Sequence, residues 1–138
     1  MFYVECSVQD IAGAGEEVRV KGLLVDSSSE FTWLPEEALE RAGITVRKKD
    51  VPFVMANGQV ITRHVGYAIL RCQGFETVDE VVFAREGDLH FLGSRTLEGF
   101  GAVLDAQKKK LVAAGPYPAA GGGWRQLHGA EFGCFLGK

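Results

Sequence analysis

The sequence predicts an all-β chain that carries two very short helices. Three observations lead there: seven or more short β-prone runs, glycine-marked turns between them, and an Asn-Gly pair set between two such runs. Phe2, Val4, Cys6 and Val8 alternate with Tyr3, Glu5, Ser7 and Gln9, the period of a half-buried strand. A turn at Gly13 and Gly15 follows. Val18 and Val20 then lead to Leu23-Leu24-Val25, where alternation gives way to a run that is apolar on both faces. Such a change marks a strand entering the interior. It stops on Asp26.

Thr32-x-Leu34-Pro35-Glu36-Glu37 carries the signs of a helix start, because proline suits the first turn and carboxylates suit the N-terminal end. The helix should run from about Pro35 to Ala42 and stop at Gly43. Val51–Met55 and Val60-Ile61-Thr62 flank Ala56-Asn57-Gly58-Gln59 and read as a hairpin. The second arm continues to Arg71, with Ile61, Val65, Tyr67 and Ile69 on one face. Gly74 turns the chain into a valine-rich strand, Thr77–Ala84. Beyond the polar turn Arg85–Asp88, Leu89–Leu92 is a short strand ending on Gly93, and Ser94 can cap a helix over Arg95–Glu98, closed by Gly99. Val103–Asp105 and Leu111-Val112 form a last hairpin.

Composition shifts at Gly115, and residues 115–138 hold seven glycines and two prolines with scattered aromatics. The expected division is therefore a β domain over residues 1–114 and an extension over 115–138, in which Phe132–Leu136 could add an interface strand.

A chain of 138 residues, 46% hydrophobic and 24% charged, has room for one genuine core. Its formal net charge of −3 gives no electrostatic case for nucleic acid. No run approaches the roughly 18 apolar residues a membrane helix needs. The N-terminus has no basic region and carries Glu5, so no secretory signal is expected. Cys6, Cys72 and Cys134 are widely spaced and odd in number, which suits core thiols in a reducing cytoplasm better than a disulfide framework. His64, His90 and His128 lack ligand spacing, so neither a metal nor a cofactor is expected.

What remains is an apolar strand delivering a carboxylate to a polar loop. Leu24-Val25-Asp26-Ser27-Ser28-Ser29-x-Phe31-Thr32-x-Leu34-Pro35 resembles the active-site segment of retroviral-type (retropepsin-like) aspartic proteases. Two further pieces follow in that family's order. Ala56-Asn57-Gly58-Gln59-Val60 resembles the flap tip, and Phe91-Leu92-Gly93-Ser94-x-Thr96-Leu97 resembles the segment packed beneath the catalytic loop. The closing hairpin also matches bacterial members. The resemblance spans about Val18 to Val112.

It implies a closed β-barrel of the acid-protease type, one lobe per chain. The chain offers a single such motif, so the resemblance also implies a homodimer in which Asp26 of each subunit completes a dyad. Asp26, Ser27 and Ser28 would form the catalytic loop, and Ala56, Asn57, Gly58, His90 and Phe91 would line the site for a peptide or protein substrate. One departure stands out: Ser28 occupies the family's glycine position, which adds a side chain beside the carboxylates and strain if positive φ is required. Two other readings stay open. The same scaffold could be a catalytically inactive peptide-binding module, or Asp26 could be a turn residue of a monomeric barrel, bonded to nearby backbone N–H groups.

Overall fold

The computed structural model describes residues 2–119. Alternation across Tyr3–Gln9 (β1) puts Val4, Cys6 and Val8 inside. Val18–Val25 (β2) pairs with it antiparallel and carries the chain inward to Asp26. Next come Thr32–Pro35 (β3), Glu36–Arg41 (α1), Val46–Val54 (β4), Val60–Cys72 (β5) and Phe75–Ala84 (β6). Phe91–Leu92 (β7), Ser94–Phe100 (α2) and the hairpin Ala102–Asp105 (β8) with Lys110–Ala113 (β9) complete the described fold.

One sheet runs β1-β2-β7-β3-β6-β5-β4, and β5 also pairs back to β1. The strands therefore form a ring, with β4 hanging outside it as the free arm of the β4–β5 hairpin. This is the all-β architecture expected from the sequence.

Two apolar clusters fill it. The larger lies inside the ring and includes Leu23, Leu34, Leu39, Leu70, Val81 and Leu92. The smaller holds Trp33, Val65, Val82 and Ala84, with Phe31, Val51, Phe53, Ile61 and Phe91 packed on it, so it sits between β3 and the hairpin. Strand β5 serves both clusters. Gly66, Ala68, Leu70 and Cys72 are buried on one face, while the face shared by Ile61, Val65, Tyr67 and Ile69 is buried only at Val65.

Three elements differ from the sequence reading. The expected helix is α1, with Pro35 and Ala42 as its caps, but Thr32–Pro35 before it is a strand, because β6 runs parallel on one side and β7 antiparallel on the other. Thr32, Trp33 and Leu34 are all buried there, so no alternation shows in the sequence. Helix α2 starts at Ser94 with Gly93 in the cap position and no side-chain cap, and it ends on left-handed Gly101 (φ 70°), two residues beyond Gly99. The hairpin turn is longer than a two-residue Asn-Gly turn. Gly58 N–H donates to Met55 O at 2.8 Å and Met55 N–H to Gln59 O at 2.8 Å, and only Gly58 takes positive φ. That is a type I turn closed by a left-handed glycine.

Most of the expected extension, including Phe132–Leu136, lies outside the described residues. Among the described residues no helix is long and apolar enough to cross a membrane.

An ion pair ties the hairpin to the ring. Arg63 on β5 donates to Asp88 from Nε at 2.7 Å and Nη2 at 2.9 Å, and Asp88 also accepts the Arg85 N–H at 2.8 Å. Both side chains are mostly buried (14% and 11% exposed). The Arg63 hydrogen bonds hold the Asp88 carboxyl below the usual carboxylate range. Its lowered folded value adds stability above the ordinary carboxylate pKa, and that stability is lost as pH falls through the folded value. Asp88→Ala should cost about 3 kcal/mol in chemical denaturation at neutral pH, since it strands a buried guanidinium, and the difference from the parent should shrink in acid.

Candidate active site

Strand β2 reaches the interior at Val25, and backbone bonds then hold the next residues. Asp26 N–H donates to Leu92 O at 3.0 Å, Ser94 N–H to Ser29 O at 2.7 Å, and Arg95 N–H to Glu30 O at 3.1 Å. The loop is thus gripped by the β7–α2 junction. Gly93 permits the approach, because a Cβ there would lie 2.4 Å from Phe31 O.

Within the loop the Asp26 carboxylate accepts three hydrogen bonds. Ser28 donates to Oδ1 from its N–H at 3.0 Å and its hydroxyl at 2.6 Å, and the Ser29 hydroxyl donates to Oδ2 at 3.0 Å. The Ser28 hydroxyl is the main cause that holds the Asp26 carboxyl below its ordinary range. Partial burial opposes it, and the Ser28 N–H and Ser29 hydroxyl add to it. Ser28 is not among the residues with positive φ, so the serine at this position carries no left-handed strain.

Asp26 opens onto a groove of about 550 Å³ that runs beneath the β4 arm. Its walls are mostly apolar and include Phe31, Trp33, Phe53, Met55, Leu89 and Phe91. The rings interlock. Phe53 meets Phe31 edge-on at 5.3 Å and Trp33 at 5.1 Å, and Trp33 stacks on Phe91 at 5.8 Å. The β4 arm is bent at its base, where Asp50 (φ 53°) sits at a register shift and its N–H donates to His64 Nδ1 at 3.2 Å.

Of the residues singled out from the sequence, Asp26, Ser28, Ala56 and Phe91 line this groove together. Ser27 is exposed on the loop between them without lining it. Asn57 and Gly58 form the exposed hairpin tip, with Asn57 Oδ1 accepting the Gln59 N–H at 2.9 Å. His90 faces a different hollow, beside Glu36, Glu37 and Asp88. The sequence reading names none of Phe31, Trp33, Phe53 and Leu89 as site residues, although the place of Phe31 and Trp33 soon after Asp26 held the signal.

A second layer lies behind the loop. Gly93 N–H donates to Thr32 Oγ1 at 2.9 Å, the Thr32 and Thr96 hydroxyls lie 2.6 Å apart, and Thr96 donates to Asp79 Oδ2 at 2.8 Å. Thr96 has one hydroxyl proton and gives it to Asp79, so Thr32 must be the donor between the two threonines. The chain therefore runs one way, from Gly93 through Thr32 and Thr96 to Asp79, and both threonines are fully buried. It fixes Gly93, and with it the floor of the loop. Thr96→Val should cost about 1–3 kcal/mol in thermal or chemical denaturation, because it leaves the Thr32 hydroxyl without its acceptor.

The pH behaviour of Asp26 follows from the same geometry. A lowered folded pKa adds stability above the ordinary carboxylate value that disappears as pH falls through the folded one. Ser28→Ala should move the Asp26 titration upward toward the ordinary value in carbon-detected NMR. An unchanged titration would show that the hydroxyl does not hold the charge.

Among the described residues no cluster of three or more potential metal ligands occurs. Comparison with curated proteins finds no match. A family model described as aspartyl protease matches residues 7–94, which takes in β2, the Asp26 loop, the β4–β5 hairpin and the β7–α2 junction. The chain belongs to the aspartyl protease family, of the retropepsin-like kind that its ordered motifs resemble.

Proposed function

We propose that the protein is an aspartic endopeptidase in which Asp26 from each of two subunits forms the catalytic dyad. The observation that carries this reading is the placement of Asp26. Its carboxylate sits in a backbone-gripped loop at the edge of an aromatic groove beneath a hairpin arm. Among the described residues its carboxylate accepts hydrogen bonds from Ser28 and Ser29 and meets no second carboxyl, and on this reading the second carboxyl comes from another copy.

The chemistry is the sharing of one proton between two carboxyl groups. One Asp26, ionised, takes a proton from water as that water attacks the peptide carbonyl. The other, protonated, gives its proton toward the carbonyl oxygen. Two like groups brought together cannot both ionise readily, so the pair titrates as a unit, and its values belong to neither residue alone. Ser27, exposed beside the pair, would bond across the two-fold axis and tie the loops together. The substrate would lie extended along the groove beneath Ala56, Asn57 and Gly58, with apolar side chains against Phe91 and its aromatic neighbours. His90 would then stand outside the substrate's path.

One observation favours the non-catalytic reading. The Ser28 hydroxyl occupies Asp26 Oδ1 at 2.6 Å, on an oxygen that the dyad would need. If that bond has disabled the chemistry, the protein binds peptides without cutting them.

Two measurements separate these readings. Incubation with an unfolded protein substrate at acid pH should yield fragments, and Asp26→Asn should abolish them while leaving sedimentation at twice the chain mass of 15.0 kDa. A parent that never cuts, joined to a Ser28→Gly variant that does, would establish the binding-module reading. Equal activity in the parent and Ser28→Gly would reject it.

A further inference from the structure

The ring closes where β1 meets β5, through Ser7 opposite Arg71, Val8 opposite Leu70 and Gln9 opposite Ile69. One more step in that register sets Cys6 opposite Cys72. Both side chains face inward, 2% and 3% exposed, and both are free thiols. Each lies near enough to shift the other's ionisation. We propose that Cys6 and Cys72 are a modification site, a dithiol that a hydroperoxide converts to a disulfide fastening the closing seam of the ring.

Continued one step past Ser7 and Arg71, the register brings the two cysteines within a disulfide's reach. Directly opposed residues of antiparallel strands have Cα atoms about 4.5–5.5 Å apart. Disulfides span about 4.4–6.8 Å between Cα atoms, so the two ranges overlap fully. Access comes from a pocket of about 440 Å³ with both cysteines in its lining, alongside Arg19, Arg71, Glu5 and Glu76. That volume admits hydrogen peroxide easily. The two thiols also differ in character. The neighbouring Cys72, together with burial, pushes the Cys6 thiol up, while Cys6 pulls the Cys72 thiol down. Cys72 is taken as the attacking group, and the balance is unchanged if Cys6 attacks instead.

In the first step the Cys72 thiolate attacks one oxygen of the peroxide. The O–O bond breaks, a sulfenic acid forms on Cys72, and the departing hydroxide leaves as water after taking up a proton. In the second step the Cys6 sulfur attacks the Cys72 sulfur. An S–S bond forms, the S–O bond breaks, and the released hydroxide carries away the Cys6 proton as water. Two thiols are oxidised and one peroxide is reduced to two waters.

The consequence is mechanical. Phe2, at the head of β1, accepts the Val25 N–H at 2.9 Å, one residue before Asp26. A disulfide would join β1 covalently to β5 four residues along the chain from this contact and constrain the unfolded chain. It should raise Tm by about 10 °C.

The test uses the full chain treated with hydrogen peroxide, blocked with a thiol-alkylating reagent and digested without reductant. The expected result is a Cys6 peptide joined to a Cys72 peptide, reversed by dithiothreitol, with a higher Tm that Cys6→Ser and Cys72→Ser both abolish. Recovery of Cys6 and Cys72 as alkylated thiols, their pairing with Cys134, their oxidation to sulfinic acids, or a cross-link that leaves Tm unchanged would each overturn the proposal. None of these outcomes depends on peptide cleavage.

Discussion

Three backbone hydrogen bonds between the Asp26 loop and the β7–α2 junction set the terms for everything near the groove. They bind Asp26 to Leu92, Ser29 to Ser94, and Glu30 to Arg95. A loop carrying a carboxylate among hydroxyls would otherwise be free to wander, since its side chains are polar and half exposed. The bonds need close backbone approach, which requires glycine at position 93. They also need β7 to lie between β2 and β3, which it does by pairing parallel with one and antiparallel with the other. The order of strands in the ring is therefore what places the carboxylate.

Around that clamp the fold builds in layers. Outermost is the β4 arm, held down by Phe53 on Trp33 and Phe31, and anchored lower on β5 by Arg63 on Asp88. Beneath it lies the aromatic floor. Behind the floor, the one-way chain from Gly93 to Asp79 satisfies two buried hydroxyls and rigidifies the junction. Each layer restrains the next, so a change at Asp79, on a strand remote in sequence from Asp26, reaches the loop through two threonines. Ser28 is the exception to this remoteness. It acts directly on the carboxylate, and its hydrogen bond comes without left-handed backbone strain.

Local pattern made much of this legible in the sequence. The apolar run Leu23-Leu24-Val25 ending on Asp26 predicted a buried strand feeding a loop, and β2 is that strand. The valine-rich run and the final hairpin were readable in the same way. Legibility failed where neighbours in space override neighbours in sequence. Pro35 and two glutamates announced a helix, which follows as α1, but nothing local announced the strand Thr32–Pro35 that β6 and β7 draw into the sheet just before it. The Thr32–Thr96 bond joins residues 64 apart, so no window of sequence contains it. Cys6 and Cys72 read as separate core thiols because only the ring closure brings them opposite. His90, placed at the groove for its position beside Phe91, lies just before β7 and lines the separate hollow beside Glu36, Glu37 and Asp88.

The proposed dyad requires two copies to bring their Asp26 side chains together. A crystal structure of the protein grown at acid pH measures this directly, as the distance between Asp26 carboxylates of neighbouring copies. The account predicts a two-fold pair with oxygens within hydrogen-bonding reach, about 3 Å or less, and the two aromatic grooves joined into one. A solution monomer, or a dimer that leaves the two carboxylates far apart and bonded only to their own Ser28 and Ser29, would contradict it.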